Sequence, residues 1–273
     1  MGVINVTPDS FSDGGQFVDP DAAIAHGIDL AAEGADVLDV GGESTRPGAA
    51  PVPADVELTR VLPVVEGLTA AISVPVSIDT TKASVAQAAL DAGATIVNDV
   101  SAGRVDPDIF GVTAAAGAGY VAMHMQGEPR TMQLDPTYDD VVREVGEFLV
   151  ERVEVAHAAG IAADAMAVDP GIGFGKTVDH NLQLLAGLPA LVARVQEPLL
   201  VGPSRKTFIG KVLAAATGAP DALPVDERGE GTLATVVWAV EHGASIVRVH
   251  DVRPVAEAIR LLDVMRRPGA TAA

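Results

Sequence analysis

Three times along the chain, at Gly34-Ala35, Gly93-Ala94 and Gly243-Ala244, a Gly-Ala pair ends a helical pattern and leads into a short apolar run. Five residues after each glycine stands a polar residue, respectively Asp39, Asn98 and Arg248. Each such unit therefore reads as a helix, a glycine stop and a strand whose far end carries a polar group. The same alternation runs through the whole chain. Apolar runs at Met1–Val6, Asp36–Val40, Val74–Ile78, Thr95–Val97, Tyr120–Met123, the stretch before Asp169, Leu199–Val201 and Ser245–Val249 predict eight strands. Helical spacing predicts Pro20–Glu33, Pro53–Ala71, Lys82–Asp91, Asp108–Ala116, Asp139–Ala158, Asp179–Val195 (broken near Pro189), Arg228–Glu241 and Val255–Met265. With no composition break or linker, this predicts one α/β domain over residues 1–273, a single (β/α)8 TIM barrel. A doubly wound open sheet is the rival, but no G-x-G-x-x-G fingerprint follows the first strand.

Composition narrows the function. With no cysteine, disulfides, thiolate metal sites and a cysteine nucleophile are excluded. A formal charge of −19 with no basic stripe argues against binding nucleic acid. No apolar stretch is long enough to span a bilayer and no leader pattern is present, so a cytoplasmic protein that does not engage membranes is expected.

In a barrel the C-terminal ends of the strands build the active site. That rule predicts one rim carrying Asn5, Asp39, Asp79, Asn98, His124, Asp169 and His250. Asp79, Asn98 and Asp169 each follow a run too apolar to face solvent. Ionised carboxylates only accept hydrogen bonds, so this trio suits a donor-rich ring such as a pterin or guanine. Helix caps are the plainer reading, about even with function for Asp79 and the weaker one for Asp169. The segment AMAVDPGIGFGK (Ala165–Lys176) adds a glycine-rich loop behind Asp169 that brings backbone close to a ligand. A second group is basic: Ser204, Arg205, Lys206 and Thr207 follow strand seven, Arg248 and His250 flank strand eight, and Arg46 follows strand two. Barrels hold phosphate in the loops after strands seven and eight, and arginine suits phosphate oxygens. No dense His/Asp metal motif is present, yet Mg²⁺ arriving with a phosphate ligand needs only one or two protein oxygens.

These residues lie in motifs that resemble the dihydropteroate synthase family. They are GVINVTPDSFSDGG (Gly2–Gly15), GGESTRPGA (Gly41–Ala49), SIDT (Ser77–Thr80), NDVSAG (Asn98–Gly103), MHMQGEPRTMQ (Met123–Gln133), DPGIGFGK (Asp169–Lys176), GPSRKTFIG (Gly202–Gly210) and RVHDV (Arg248–Val252). The resemblance spans almost the whole chain. It implies condensation of 6-hydroxymethyl-7,8-dihydropterin pyrophosphate with p-aminobenzoate to 7,8-dihydropteroate, releasing pyrophosphate by an SN1-like path. It also implies Mg²⁺ as cofactor, sulfonamides as inhibitors and a homodimer. By the same resemblance, Asp79, Asn98, Asp169 and Lys206 hold the pterin, and Thr45, Pro47, Phe174, Lys206 and Thr207 form the p-aminobenzoate pocket. Asn5, Arg46, Arg248 and His250 bind pyrophosphate, with Asn5 also on the metal. Asp79, Lys206, Arg46, Arg248 and His250 carry the chemistry, and the loops Thr7–Gly15 and Gly41–Gly48 act as lids. Thr207 stands where the family usually has serine, and the chain begins almost at its first strand. The rival functions are a non-catalytic pterin-binding paralogue, a methyltetrahydrofolate-dependent methyltransferase-type domain, and a Schiff-base aldolase using Lys176 or Lys206.

Overall fold

Each short apolar run forms a strand and each helical pattern a helix. The computed structural model describes residues 1–7, 19–45 and 48–267. Among them the order is β1 (Gly2–Asn5), α1 (Pro20–Glu33), β2 (Leu38–Gly41), α2 (Ala54–Ala71), β3 (Val76–Asp79), α3 (Ala83–Asp91), β4 (Ile96–Asp99), α4 (Asp108–Ala116) and β5 (Gly119–Met123). It continues with α5 (Val141–Ala158), β6 (Met166–Asp169), α6 (Val178–Ala186), α7 (Leu188–Val195), β7 (Leu200–Val201), α8 (Thr207–Thr217), α9 (Gly229–Glu241), β8 (Ile246–Val247) and α10 (Val252–Arg266).

The Gly-Ala repeat is a structural unit. Gly34, Gly93 and Gly243 adopt left-handed backbone with φ of 106°, 105° and 101°. The next amide then folds back over the helix end: Ala35 N donates to Leu30 O (3.0 Å), Ala94 N to Ala89 O (2.9 Å) and Ala244 N to Ala239 O (2.9 Å). This six-to-one bond satisfies an orphan carbonyl and launches the chain toward the sheet at the same angle each time. At the opposite end of α1, the Asp19 carboxylate caps the helix by accepting from Asp21 N and Ala22 N. The predicted break in Asp179–Val195 falls at Gly187, and Pro189 sits in the first turn of α7, where a missing N–H costs nothing.

Strands β1 to β6 pair in parallel in chain order, and β7 pairs with β8. Single parallel bridges complete the ring, Val168 with Leu199 and Gly2 with Val249. At the last seam Val3 N donates to Val249 O (3.0 Å), and Val168 N donates to Pro198 O (3.0 Å) at the other. The barrel expectation holds, with β7 and β8 shorter than the sequence suggests because these seams are bridges rather than full ladders. No helix among the described residues is long and apolar enough to cross a membrane.

Strand alternation sorts the apolar residues into two layers. Val97, Ala122 and Val168 join the large cluster shared with the helices. Their strand neighbours Ile96, Val121 and Ala167 pack with Leu200, Met1 and Ile246 in a separate cluster. Two residues beyond these last three in each strand come Asn98, Met123 and Asp169. The period of two places them on the same side, and all three line one pocket at the C-terminal end of the barrel.

Candidate functional site

The three repeat residues meet beneath this pocket. Arg248 Nε donates to Asp39 Oδ2 (2.6 Å) and Asn98 Nδ2 donates to the same oxygen (3.0 Å). Arg248 Nη2 reaches across to Asp79 Oδ2 (2.8 Å). Asp39 is fully buried, and its Oδ1 has no hydrogen-bond partner among the described residues. Asp39 thus lies under the pocket as the anchor of Arg248 and Asn98, a role that spacing alone did not assign. Burial pushes the Asp79 carboxyl up to about 7; the Arg248 charge pulls against this and Asp39 adds to it.

The opposite wall is the glycine-rich loop. Asp169 is buried, and its Oδ1 accepts from Gly171 N (2.7 Å). Burial raises its pKa, with the Lys206 charge pulling the other way. A Cβ on Gly171 would stand 1.9 Å from the His124 carbonyl oxygen, and φ there is +67°, so only glycine lets the loop turn this close to β5. At Gly173, φ +84°, a Cβ would meet the Lys206 side chain at 2.9 Å. Lys206 lies across this loop: Nζ donates to Ile172 O and sits 4.4 Å from the centre of the Phe174 ring. Burial lowers its pKa to about 8; Asp169 opposes that shift and Arg248 reinforces it. Val100, Met123 and Phe174 supply the apolar faces against which a flat ring can stack.

Asp79, Asn98, Asp169, Lys206, Arg248, His250, Thr45 and Phe174 therefore line one cavity. Ser204 joins them: its hydroxyl lies 3.0 Å from His250 Nδ1 and accepts from His250 N (3.2 Å). Asn5 ends β1 beside Gly41, in register with Asp79 one strand further on, but is not among the lining residues. Thr207 is exposed at the start of α8 and does not line the cavity either. Arg46, Pro47 and most of the loop Thr7–Gly15 lie outside the described residues.

Besides Asp39, which was expected on the rim and lies buried beneath it, two expectations are corrected. Arg205 leaves the basic group: Nε donates to Asp251 Oδ2 (3.0 Å), and the guanidinium is paired with that carboxylate. His124 is withdrawn from the rim, 7 % exposed, with Nδ1 2.9 Å from the buried Lys176 Nζ. Pairing with Asp251 decides Arg205, whose side chain stays 38 % exposed; burial decides His124, which β5 carries past the cavity to pack against Phe148 of α5. Val100 and Met123 were missed because apolar lining carries no signal beyond that of ordinary core.

The chain matches the family described as "Pterin binding enzyme" over residues 1–250. It is 49 % identical over 271 residues to the dihydropteroate synthase of Mycobacterium leprae, covering 98 % of this chain and 94 % of that protein. Two solved structures superpose with a TM-score of 0.89. One is the Xanthomonas albilineans dihydropteroate synthase with 4-aminobenzoic acid, 46 % identical, covering 97 % of this chain and 92 % of that one. The other is the Yersinia pestis dihydropteroate synthase in a sulfonamide drug complex, 43 % identical, covering 97 % and 93 %.

Proposed function

The chain belongs to the pterin-binding enzyme family, and we propose on that premise that it is a dihydropteroate synthase. It joins p-aminobenzoate to the methylene carbon of 6-hydroxymethyl-7,8-dihydropterin pyrophosphate and releases pyrophosphate. The observation that carries this reading is the convergence of Asp79, Asn98, Asp169, Lys206 and Arg248 on one cavity at the mouth of the barrel.

The geometry supports a division of labour. Asp169, already fixed by Gly171 N, accepts from the amino and ring N–H groups of the pterin. Lys206 donates to its carbonyl side while Phe174 and Met123 bound its faces. Arg248 has five N–H donors and uses two on Asp39 and Asp79; the other three serve phosphate oxygens. The departing diphosphate leaves positive charge on a methylene conjugated with the pterin, and ionised Asp79 stabilises it. The aniline nitrogen attacks as a free amine, so no covalent enzyme intermediate is needed. Thr45 lines the same cavity and belongs to the p-aminobenzoate pocket through the family resemblance. Arg46, Pro47, Thr207 and His250 belong to the same reading through the family resemblance.

Mg²⁺ fits as a guest of the diphosphate rather than as a resident of a protein cage. No group of three or more His, Cys, Asp or Glu among the described residues is placed to hold a metal ion. One amide oxygen from Asn5 at the end of β1 is what an ion already coordinated by phosphate and water requires. When bound, it would neutralise charge on the leaving group. A cytoplasmic homodimer inhibited by sulfonamides completes the reading.

The test is product formation from the pterin pyrophosphate and radiolabelled p-aminobenzoate, with and without Mg²⁺ and a sulfonamide. Mg²⁺-dependent, sulfonamide-sensitive dihydropteroate formation is expected. Pterin binding without product would favour the non-catalytic paralogue instead.

A further inference from the structure

Lys176 is one of four lysines in the chain and is 3 % exposed. It does not line the cavity. A buried amine survives only if its hydrogens are satisfied, and Lys176 Nζ has two partners: it donates to Phe174 O at 3.0 Å and lies 2.9 Å from His124 Nδ1. His124 is itself held in place, its ring edge-on to Phe148 at 4.8 Å between centroids.

The Lys176 amine reaches the cavity lining through Phe174 O, and the His124 backbone through Asp169 O, to which His124 N donates (2.9 Å). The loop from Gly171 to Gly175 makes no ladder, and its glycines at 171, 173 and 175 take positive φ. Gly171 O accepts from Phe174 N (3.0 Å), and side chains hold the other carbonyls. Lys206 holds Ile172 O, Gln133 Nε2 holds Gly173 O (2.5 Å), Lys176 holds Phe174 O, and Tyr138 Oη holds Gly175 O (2.9 Å). Gln133 is exposed and Tyr138 half-buried, whereas Lys176 works from inside. Two lysines thus grip one short loop from opposite sides, Lys206 from the cavity and Lys176 from the core, with the Phe174 ring 4.4 Å from Lys206 Nζ. Burial lowers the Lys176 pKa well below its ordinary value; the Asp169 charge opposes that shift and the Lys206 charge reinforces it.

We infer that Lys176, backed by His124, is a positioning residue that sets the Phe174 ring against Lys206 and so fixes the slot for the aromatic amine substrate. The inference rests on the function proposed above. It concerns the second substrate, because the hydrogen bonds of the Lys176 amine go to Phe174 O and His124 Nδ1 and to none of Asp79, Asn98 and Asp169.

The test is steady-state kinetics of Lys176→Met and Lys176→Gln with each substrate varied in turn. Losing one buried hydrogen bond to the loop is expected to raise KM for p-aminobenzoate about tenfold in Lys176→Met. The KM for the pterin substrate and kcat should stay close to wild type. Lys176→Gln keeps N–H donors for Phe174 O and should recover most of the loss. In a Phe174→Leu background, Lys176→Met should add little, since both act through one ring. A p-aminobenzoate KM unchanged in Lys176→Met, or both KM values rising with no rescue by glutamine, would overturn the inference. If Lys176→Met does not fold, the glutamine variant must show a smaller rise confined to p-aminobenzoate, and a uniform loss would count against it. A turnover-free readout separates this from failure of the functional reading. In protein carrying fluorinated phenylalanine, the Phe174 resonance, assigned by its loss in Phe174→Leu, should move in Lys176→Met and return in Lys176→Gln. A resonance that stays put overturns the inference whatever the enzyme turns over.

Discussion

Arg248 and Asp39 are 209 residues apart in the chain and 2.6 Å apart in the fold. The contact runs from the end of β8 to β2, which are separated in the ring by β1, and the second carboxylate, Asp79, shares the same guanidinium. Removing Asp39 takes one of two carboxylates from this guanidinium and leaves the buried Asn98 Nδ2 without its acceptor. Asp39→Ala is therefore expected to lower stability by about 3–5 kcal/mol. Asp39→Asn keeps the volume and an acceptor oxygen and should cost less. Urea unfolding midpoints at fixed m-value measure both.

The pH dependence follows from two opposed groups. Asp79 must be ionised and is held up at about 7, while Lys206 must be protonated and is held down at about 8. The kcat/KM for the pterin substrate should form a narrow bell, falling on the acid side near 7 and on the alkaline side near 8. Asp79→Asn should lose most of its turnover; near-normal turnover in that variant would remove its role in stabilising the methylene cation.

The same shifts carry a stability signature. The folded pKa of Asp79 is raised from an ordinary 3.8, so its contribution is fully present below about 3.8 and lost as pH rises to about 7. The folded pKa of Lys206 is depressed from 10.5, so native protein gives up that proton first and stability returns as pH rises from about 8 toward 10.5. The site is thus least comfortable near pH 7 to 8. Asp79→Asn should be more stable than wild type at pH 8, by something on the order of 1 kcal/mol. The gain should vanish near pH 4 in thermal melts.

Two glycine variants should separate folding from binding. Gly171→Ala sets a methyl 1.9 Å from the His124 carbonyl and should destabilise the fold by roughly 3 kcal/mol or more. Gly173→Ala meets instead the flexible stem of Lys206 at 2.9 Å. It should melt closer to wild type yet raise the KM for both substrates, since Lys206 must move aside.

Chelating Mg²⁺ should abolish product formation and weaken binding of the pterin pyrophosphate, while binding of the parent 6-hydroxymethyl pterin is unchanged. Calorimetry with the two ligands reads this directly. Asn5→Ala should reproduce the selective loss, because the ion's only expected protein contact is that amide oxygen.

The number and order of strands, the helix stops and the residues at the strand ends were legible in the chain, because each rests on local signals. The Gly34, Gly93 and Gly243 stops act within one turn of helix, and strand alternation needs only the next few residues. The same local rules placed Asp79, Asn98 and Asp169 on one face. They could not separate residues that reach the cavity from residues that pass it by. Arg205 and Lys206 are adjacent in the chain, yet one pairs with Asp251 and the other lies over Phe174. His124 ends its strand just as Asp169 does, yet it turns into the core to meet Lys176. Depth and partnership are set by what the neighbouring strands and loops bring up, and those arrive from far along the chain.

By itself, then, the sequence determined the barrel, the rim and the kinds of group the rim would carry, since periodicity and capping are written in short windows. Tertiary structure alone decided that Asp39 would hold Arg248 and Asn98, that the ring would close through single bridges at β6–β7 and β8–β1, and that Lys176 would grip the loop from behind. Each of those depends on burial and on contacts across the closed ring, which no window of residues contains.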